Sequence, residues 1–115
     1  MHRYKELDVW KKSMDLSFLI YELTKEFPSE EKFGLISQMR RCSVSIASNI
    51  AEGAGRNSNK EFKHFLSIAN GSNYELQTQL ILLIELNLIN KEKVQPIIEQ
   101  CIEIQKMNYS FQQKL

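Results

Sequence analysis

From Phe62 onward the chain steps by four and three without a break: Phe62, Leu66, Ala69, Asn73, Leu76, Leu80 and Leu83. A strand would throw these side chains alternately to opposite faces, whereas 3.6 residues per turn gathers them on one side of a helix. Six turns of that step form the seam of left-handed bundle packing. The pattern therefore demands other helices to pack against.

Three further blocks supply them. Val9, Leu16, Ile20, Leu23 and Phe27 form a stripe, with Trp10, Met14 and Tyr21 in a second stripe beside it. A helix over roughly 32 to 53 carries Leu35, Met39, Cys42, Ile46 and Ile50, flanked by the small residues Ser43, Ala47, Ala51 and Ala54 that let a neighbour approach closely. The last block uses Val94, Ile97, Cys101, Ile104 and Phe111, widened by Ile98 and Ile102. No block alternates with period two, so the class is all-α.

Phe27-Pro28-Ser29-Glu30-Glu31 stops the first helix and starts the second, because proline disfavours helix in the residue before it and acidic side chains suit a first turn. All connections are short, which makes sequential helices antiparallel neighbours. The expected architecture is an up-down-up-down four-helix bundle, a single domain over residues 1–115. A chain of this length buries about two-thirds of its unfolded surface, enough for one core without staples. Gly71 interrupts the third helix at about 1 kcal/mol relative to alanine, which predicts something packed against it. Pro96 fits only a first turn or a kink.

The stretch "SNIAEGAGRNSNKEF", residues 48–62, raises the question of a phosphate loop. A nucleotide-hydrolase loop follows a strand and ends in Gly-Lys-Ser/Thr, whereas here a helix precedes it and Gly55-Arg56-Asn57 closes it. A helix corner explains more: Gly53 or Gly55 ends the second helix in a left-handed conformation, and Ser58 with Glu61 forms a capping box for the third. The readings are compatible, since a capped helix N-terminus beside Arg56 can still meet an anion.

Up-down threading brings the start of helix one, this corner and the end of helix four to one end of the molecule. That end carries Arg3, Lys5, Lys11, Lys12, Arg56, Lys60, Lys63 and Lys114 against Glu6, Asp8, Glu52 and Glu61. The far end, with Lys25, Lys32, Lys91 and Lys93 against Glu22, Glu26, Glu30, Glu31, Glu85 and Glu92, is net acidic. A formal net charge of +1 thus conceals an electrically polar rod whose basic end suits a phosphate backbone. His2 and His64 add to that end at lower pH. A solvated mixed surface is the alternative reading of the same charges.

Little points to catalysis. His2 and His64 are the only histidines, and no His-x-x-x-His, Glu-x-x-His or Cys-x-x-Cys spacing offers a metal shell. Glu52 and Glu75, beside small or polar neighbours, are expected to be partly buried, yet polar groups at helix seams more often fix register than move protons. Cys42 and Cys101 fall at apolar positions and read as reduced core thiols. No metal or cofactor is expected, and no enzyme. The N-terminus lacks an apolar leader region, and the run "LILLIELNLI", 80–89, is too short for a bilayer. No membrane association is expected, and the cytoplasm is the expected location.

A bundle helix needs about three apolar positions per seven. Phe65, Ile68 and Leu82 on the third helix, and Trp10, Phe18 and Tyr21 on the first, exceed that, which predicts self-association. Polar residues at inward positions, Gln38, Asn49, Asn73 and Gln79, would select one register of assembly.

Several of these features occur together elsewhere. Val9-Trp10, Phe27-Pro28, the "SNIAEG" run with Arg56, and "FL" followed by "GS…EL" make residues 7–88 closely resemble a bacterial four-helix-bundle family. Its members are encoded in intervening sequences of 23S ribosomal RNA genes. The resemblance implies a homopentamer of up-down bundles, similar in fold to the accessory variability determinant of diversity-generating retroelements, a basic pentamer that binds nucleic acid and a reverse transcriptase. Asn49, Glu52, Gly53 and Arg56 match the family's corner motif; Gly71, Ser72 and Glu75 match its helix-three motif; Trp10 matches near the start. The resemblance implies structural rather than catalytic roles for them. The near-zero net charge departs from the strongly basic retroelement proteins.

The functional expectation is a non-enzymatic oligomer binding structured RNA, ribosomal RNA among them, or DNA through its basic end. Lys11, Lys12, Arg56, Lys60 and Lys63 are the candidate contacts, with His64 secondary. The rival expectation is a scaffold whose ring holds a protein partner and touches no nucleic acid.

Overall fold

The computed structural model describes residues 2–25, 27 and 34–115. After a 3-10 turn at Tyr4–Glu6 come α1 (Asp8–Thr24), α2 (Leu35–Ala54), α3 (Asn59–Glu85) and α4 (Lys91–Lys114). Among the described residues the protein is all-α, with four long helices and no strand. The expected stop and start at Pro28 to Glu31, and a start of the second helix near residue 32, lie outside the described residues.

Local chemistry sets the ends. Ser58, extended at φ −134° and ψ 151°, accepts the Glu61 N–H on its Oγ at 3.2 Å and opens α3, one half of the expected capping box; the return bond from the Ser58 N–H to the Glu61 carboxylate is not made among the described residues. The second helix does not end as expected. Neither Gly53 nor Gly55 is left-handed: Gly55 sits at φ −83° and ψ −4°, its N–H directed at the Ala51 and Glu52 carbonyls. Ala54 hands its free carbonyl to the His2 N–H at 2.9 Å, so the incoming chain completes the cap that a left-handed residue would have made. The left-handed closure occurs after α3 instead. Asn87, φ 56°, donates its N–H to Ile84 O and Leu88 donates to Leu83 O, the paired bonds of a Schellman ending, for which asparagine is the usual substitute for glycine.

Leu16, Ile20, Met39, Ile46, Ile50, Phe62, Leu66, Leu76, Leu80, Leu83, Val94 and Ile104 are almost wholly removed from water in one core fed by all four helices. On α2 the buried stripe begins at Ile36, with Leu35 only half-buried at its edge, and Gln38 is exposed rather than inward. Pro96 lies in the second turn of α4, one turn deeper than its missing N–H predicts, on the exposed side.

Each of α2 and α4 packs closely against both α1 and α3, while among the described residues the backbones of α1 and α3 make no close approach, nor do those of α2 and α4. The helices therefore stand at the corners of a square in chain order. The rod measures 43 × 23 × 20 Å. At one end His2 packs its ring 4.9 Å from Phe62 and 6.0 Å from Phe111, and Asn59 Nδ2 donates to Leu115 O at 3.4 Å. These contacts join the start of the chain, the α2–α3 corner and the end of α4. Leu23, Phe27, Leu88, Ile89 and Lys93 line a common cavity away from that corner. Such packing is compatible with helices of alternating direction.

α3 and α4 are also keyed together by amides. Asn73 Nδ2 reaches Cys101 O at 3.0 Å, Gln77 Nε2 meets Gln105 Oε1 at 3.0 Å, Asn108 Nδ2 reaches Leu66 O at 3.0 Å, and Gln112 Nε2 reaches Lys63 O at 3.1 Å. The rungs recur every three or four residues along α4 and at steps of three, seven and four along α3, so a slip of one turn would strand every one of them.

Candidate nucleic-acid interface

The α2–α3 corner is built around a close approach. A Cβ added to Gly53 would stand 2.7 Å from Phe65 Cβ and 2.9 Å from Phe62 Cδ1, so only glycine lets the first turns of α3 close onto α2. Arg56 then folds back over the joint. Its guanidinium lies 4.6 Å over the Phe65 ring, and Nη2 donates to Glu52 Oε1 at 3.3 Å. Asn49 completes the turn by donating Nδ2 to Ser45 O at 2.9 Å. The corner motif is thus a set of mutual braces, and part of Arg56's charge is already engaged within the chain.

Lys60, Lys63 and His64 are exposed on the first turns of α3, with the His64 ring edge-on to Phe65 at 5.8 Å. Arg56 precedes them on the α2–α3 connection, turned toward Glu52 and Phe65, while Lys63 O accepts from Gln112 on α4. Lys11 and Lys12 occupy the first turns of α1, which stands diagonal to α3. Lys12 donates to Glu103 Oε1 on α4 at 2.8 Å, and that hydrogen bond raises its pKa above the usual lysine range. Lys11 is exposed beside it. The six expected contacts therefore form two groups, an α3 group around Arg56 and an α1 group in which Lys12 is balanced by a carboxylate. Sequence reasoning missed this partition because Glu103 is distant in the chain.

The helix-three motif stands along the α2–α3 groove. Ser72 and Ser45 share a hydroxyl hydrogen bond of 2.8 Å, and the Cys42 Sγ donates to Glu75 Oε2 at 2.8 Å. Burial first, and then the Glu75 carboxylate, push the Cys42 thiol up to about 12. Ser37, Gln38, Arg41, Cys42, Ser45, Ser72 and Glu75 line an open cavity of about 340 Å³. Glu52 and Glu75 are both exposed, which corrects the expectation of partial burial: both helices turn these side chains outward from the core. Gly71 has no heavy atom within 4 Å of an added Cβ, so among the described residues nothing packs against it, and the expected neighbour is not found there. Trp10 is half-buried against the core, with Tyr4 edge-on at 5.2 Å.

Among the described residues no group of three or more His, Cys, Asp or Glu side chains is placed to hold a metal ion, and no helix is long and apolar enough to cross a membrane.

A long α3 braced to α2 at a glycine contact and keyed to α4 by amides defines a small all-α four-helix protein with a cationic corner. More particularly, the chain belongs to the family of the 23S rRNA-intervening sequence protein, which matches it over residues 5–110. It is also similar to the crystal structure of a protein with unknown function from the S23 ribosomal protein family of Bacteroides thetaiotaomicron, solved at 1.70 Å. The two chains are 31% identical, the likeness covers 91% of this chain and 95% of the other, and the TM-score is 0.85. No curated protein matches the chain. The family expected from the corner and helix-three motifs is the family found.

Proposed function

We propose that the protein is a non-enzymatic, cytoplasmic oligomer, a homopentamer of antiparallel up-down bundles, which binds structured RNA or DNA through the phosphate backbone at its basic end. The observation that carries this reading is that the exposed Arg56, Lys60 and Lys63 all fall within one turn or so of the N-terminus of α3, whose free N–H groups and dipole favour an anion. Arg3 and Lys5, on the segment tied to Ala54, add charge at the same end. A single copy of this corner is a weak footprint. Several copies in register multiply it, and the exposed apolar side chains of Met14, Phe18, Ile68 and Leu82 supply a reason to assemble. The family's description, a 23S rRNA-intervening sequence protein, supports an RNA context.

The test is a salt titration of binding to a structured fragment of 23S ribosomal RNA. Backbone binding gives an affinity that falls log-linearly with salt, with a slope of several units. Absence of saturable binding to RNA or DNA even at low salt would overturn the reading and leave the protein-scaffold alternative.

A further inference from the structure

We infer that the cleft between α3 and α4 flanked by Tyr74 and Tyr109 receives an unpaired nucleobase, so that a bound nucleic acid is single-stranded where it crosses this face. This rests on the nucleic-acid reading above and names which part of the nucleic acid the α3–α4 face takes.

Two aromatic rings stand where the core does not use them. Tyr74 is 53% and Tyr109 62% exposed, one on each helix, and both line a single cavity of about 190 Å³ with Asn70, Gln105 and Lys106. Pockets for drug-sized ligands run from roughly 300 to 1,000 Å³, so this one has room for a planar ring and not for a whole cofactor. A phenol ring offers such a ligand a wide apolar face with only two side-chain torsions to freeze.

The amide rungs hold the two rings at a fixed separation. Gln77 Nε2 donates to Gln105 Oε1 at 3.0 Å, and Asn108 Nδ2 donates to Asn70 Oδ1 at 2.8 Å, one turn to either side of Tyr74. The cleft is therefore shaped before any ligand arrives. Gln105 Nε2 has no partner among the described residues and stands in the cavity wall, a donor for the acceptor atoms on base edges.

Charge selects a nucleotide over a neutral ring. Lys106 lines the cavity and has no ion-pair partner among the described residues. From Asn70 the polar run continues toward the basic end: Asn70 Nδ2 donates to Gln112 Oε1 at 3.4 Å, and Gln112 Nε2 donates to Ser67 Oγ at 3.0 Å and to Lys63 O at 3.1 Å. Lys63 precedes Tyr74 by eleven residues, about 16 Å along the helix axis, a length that several phosphates of one strand cover. No carboxylate side chain interrupts the run. Glu75 turns to Cys42 on α2, Glu103 is held by Lys12 at 2.8 Å, and Glu85 and Glu99 lie beyond Gln77 and Gln105, away from the basic end.

A strand whose phosphates meet Lys63 and Lys106 brings a base over the two rings. A duplex keeps its base faces stacked inside and cannot offer one. Aromatic side chains that stack bases, set beside cations that follow the backbone, are the usual means of holding a single strand without reading its sequence.

Fluorescence anisotropy of a short oligothymidylate, and of an abasic strand of equal length and charge, tests this. The full-length chain is expected to bind the oligothymidylate about tenfold more tightly than the abasic strand at one low salt concentration. Tyr74→Ala with Tyr109→Ala should remove that preference and leave the abasic affinity and the salt slope unchanged, with circular dichroism showing the helices intact. Tyr74→Phe with Tyr109→Phe should keep it, because phenylalanine presents the same ring face. A parent with equal affinity for both strands, an alanine pair that keeps the preference, or a phenylalanine pair as weak as the alanine pair overturns base stacking in the cleft and leaves backbone binding standing. Saturable binding of a neutral glucan that the alanine pair abolishes, without any preference between the strands, would put a sugar in the cleft and overturn the assignment too. Failure to bind either strand or a structured RNA at low salt overturns the nucleic-acid reading itself.

Discussion

Cys42 Sγ on α2 and Glu75 Oε2 on α3 lie 2.8 Å apart, the thiol donating to an exposed carboxylate across the groove between two helices. Burial and that carboxylate both disfavour a thiolate, and Cys101, wholly buried beside Asn73, is likewise pushed up to about 12. The ordinary thiol value is 9.0. In the pH range between these values the folded state holds more protons than the unfolded one, so stability is fully present below pH 9 and declines as pH rises toward 12. The native protein should react with a chromogenic disulfide at pH 8 far more slowly than a free thiol, and urea should restore the fast rate. A native rate equal to the unfolded rate would show that the two thiols are not held as described.

Gly53 and Gly55 are separated by one residue but should respond oppositely to alanine. At Gly53 the new Cβ meets Phe65 Cβ at 2.7 Å and Phe62 Cδ1 at 2.9 Å, which should cost about 1–3 kcal/mol in urea unfolding. At Gly55 the nearest atoms are 3.6 and 3.8 Å away and φ is −83°, so Gly55→Ala should be neutral or slightly stabilising. Had the helix ended in a left-handed glycine here, Gly55→Ala would be the damaging change.

Asn108 Nδ2 donates to Leu66 O at 3.0 Å and to Asn70 Oδ1 at 2.8 Å, wholly inside the α3–α4 interface. Asn108→Ala takes one donor from Asn70 Oδ1 and the second donor from Leu66 O, which keeps its own helical bond, and it also removes Asn108 Oδ1, a buried oxygen with no partner among the described residues. It should destabilise the fold by about 1–3 kcal/mol, measured by chemical denaturation with unchanged helix content in the native state. A loss below a few tenths would mean that the amide rungs do not hold α4.

The two groups of basic residues should differ in their effect on RNA. Lys60→Glu with Lys63→Glu should weaken binding at least tenfold at low salt and lower the salt slope by about two units per footprint. Lys12→Glu should do much less, because Lys12 already faces Glu103 at 2.8 Å. Equal losses from both groups, measured by filter binding across a salt series, would contradict the partition between α3 and α1.

Much of this was legible along the chain. The four-and-three step from Phe62 to Leu83 required a long packed helix, and it places those seven side chains inside. Ser58 three residues before Glu61 announced the start of α3, and the corner and helix-three motifs pointed to the family found. These signals are local: hydrophobic period, caps and motif spacing depend on residues within one or two turns of each other.

Contacts between distant segments decided the rest. Gly53 is required by Phe62 and Phe65 pressing from the next helix, not by its own backbone angles. Ala54 needs no left-handed successor because His2, fifty-two residues earlier, donates its N–H to the Ala54 carbonyl. Lys12 is balanced by Glu103 and Cys42 by Glu75, pairings that no local period encodes. Gly71 faces open space, and Met14, Phe18, Ile68 and Leu82 remain wet, because four helices at the corners of a square bury only their inner faces. The sequence alone determined which residues point the same way on each helix; which helices those faces meet, and which they leave unmet, is a property of three-dimensional packing between residues far apart in the chain.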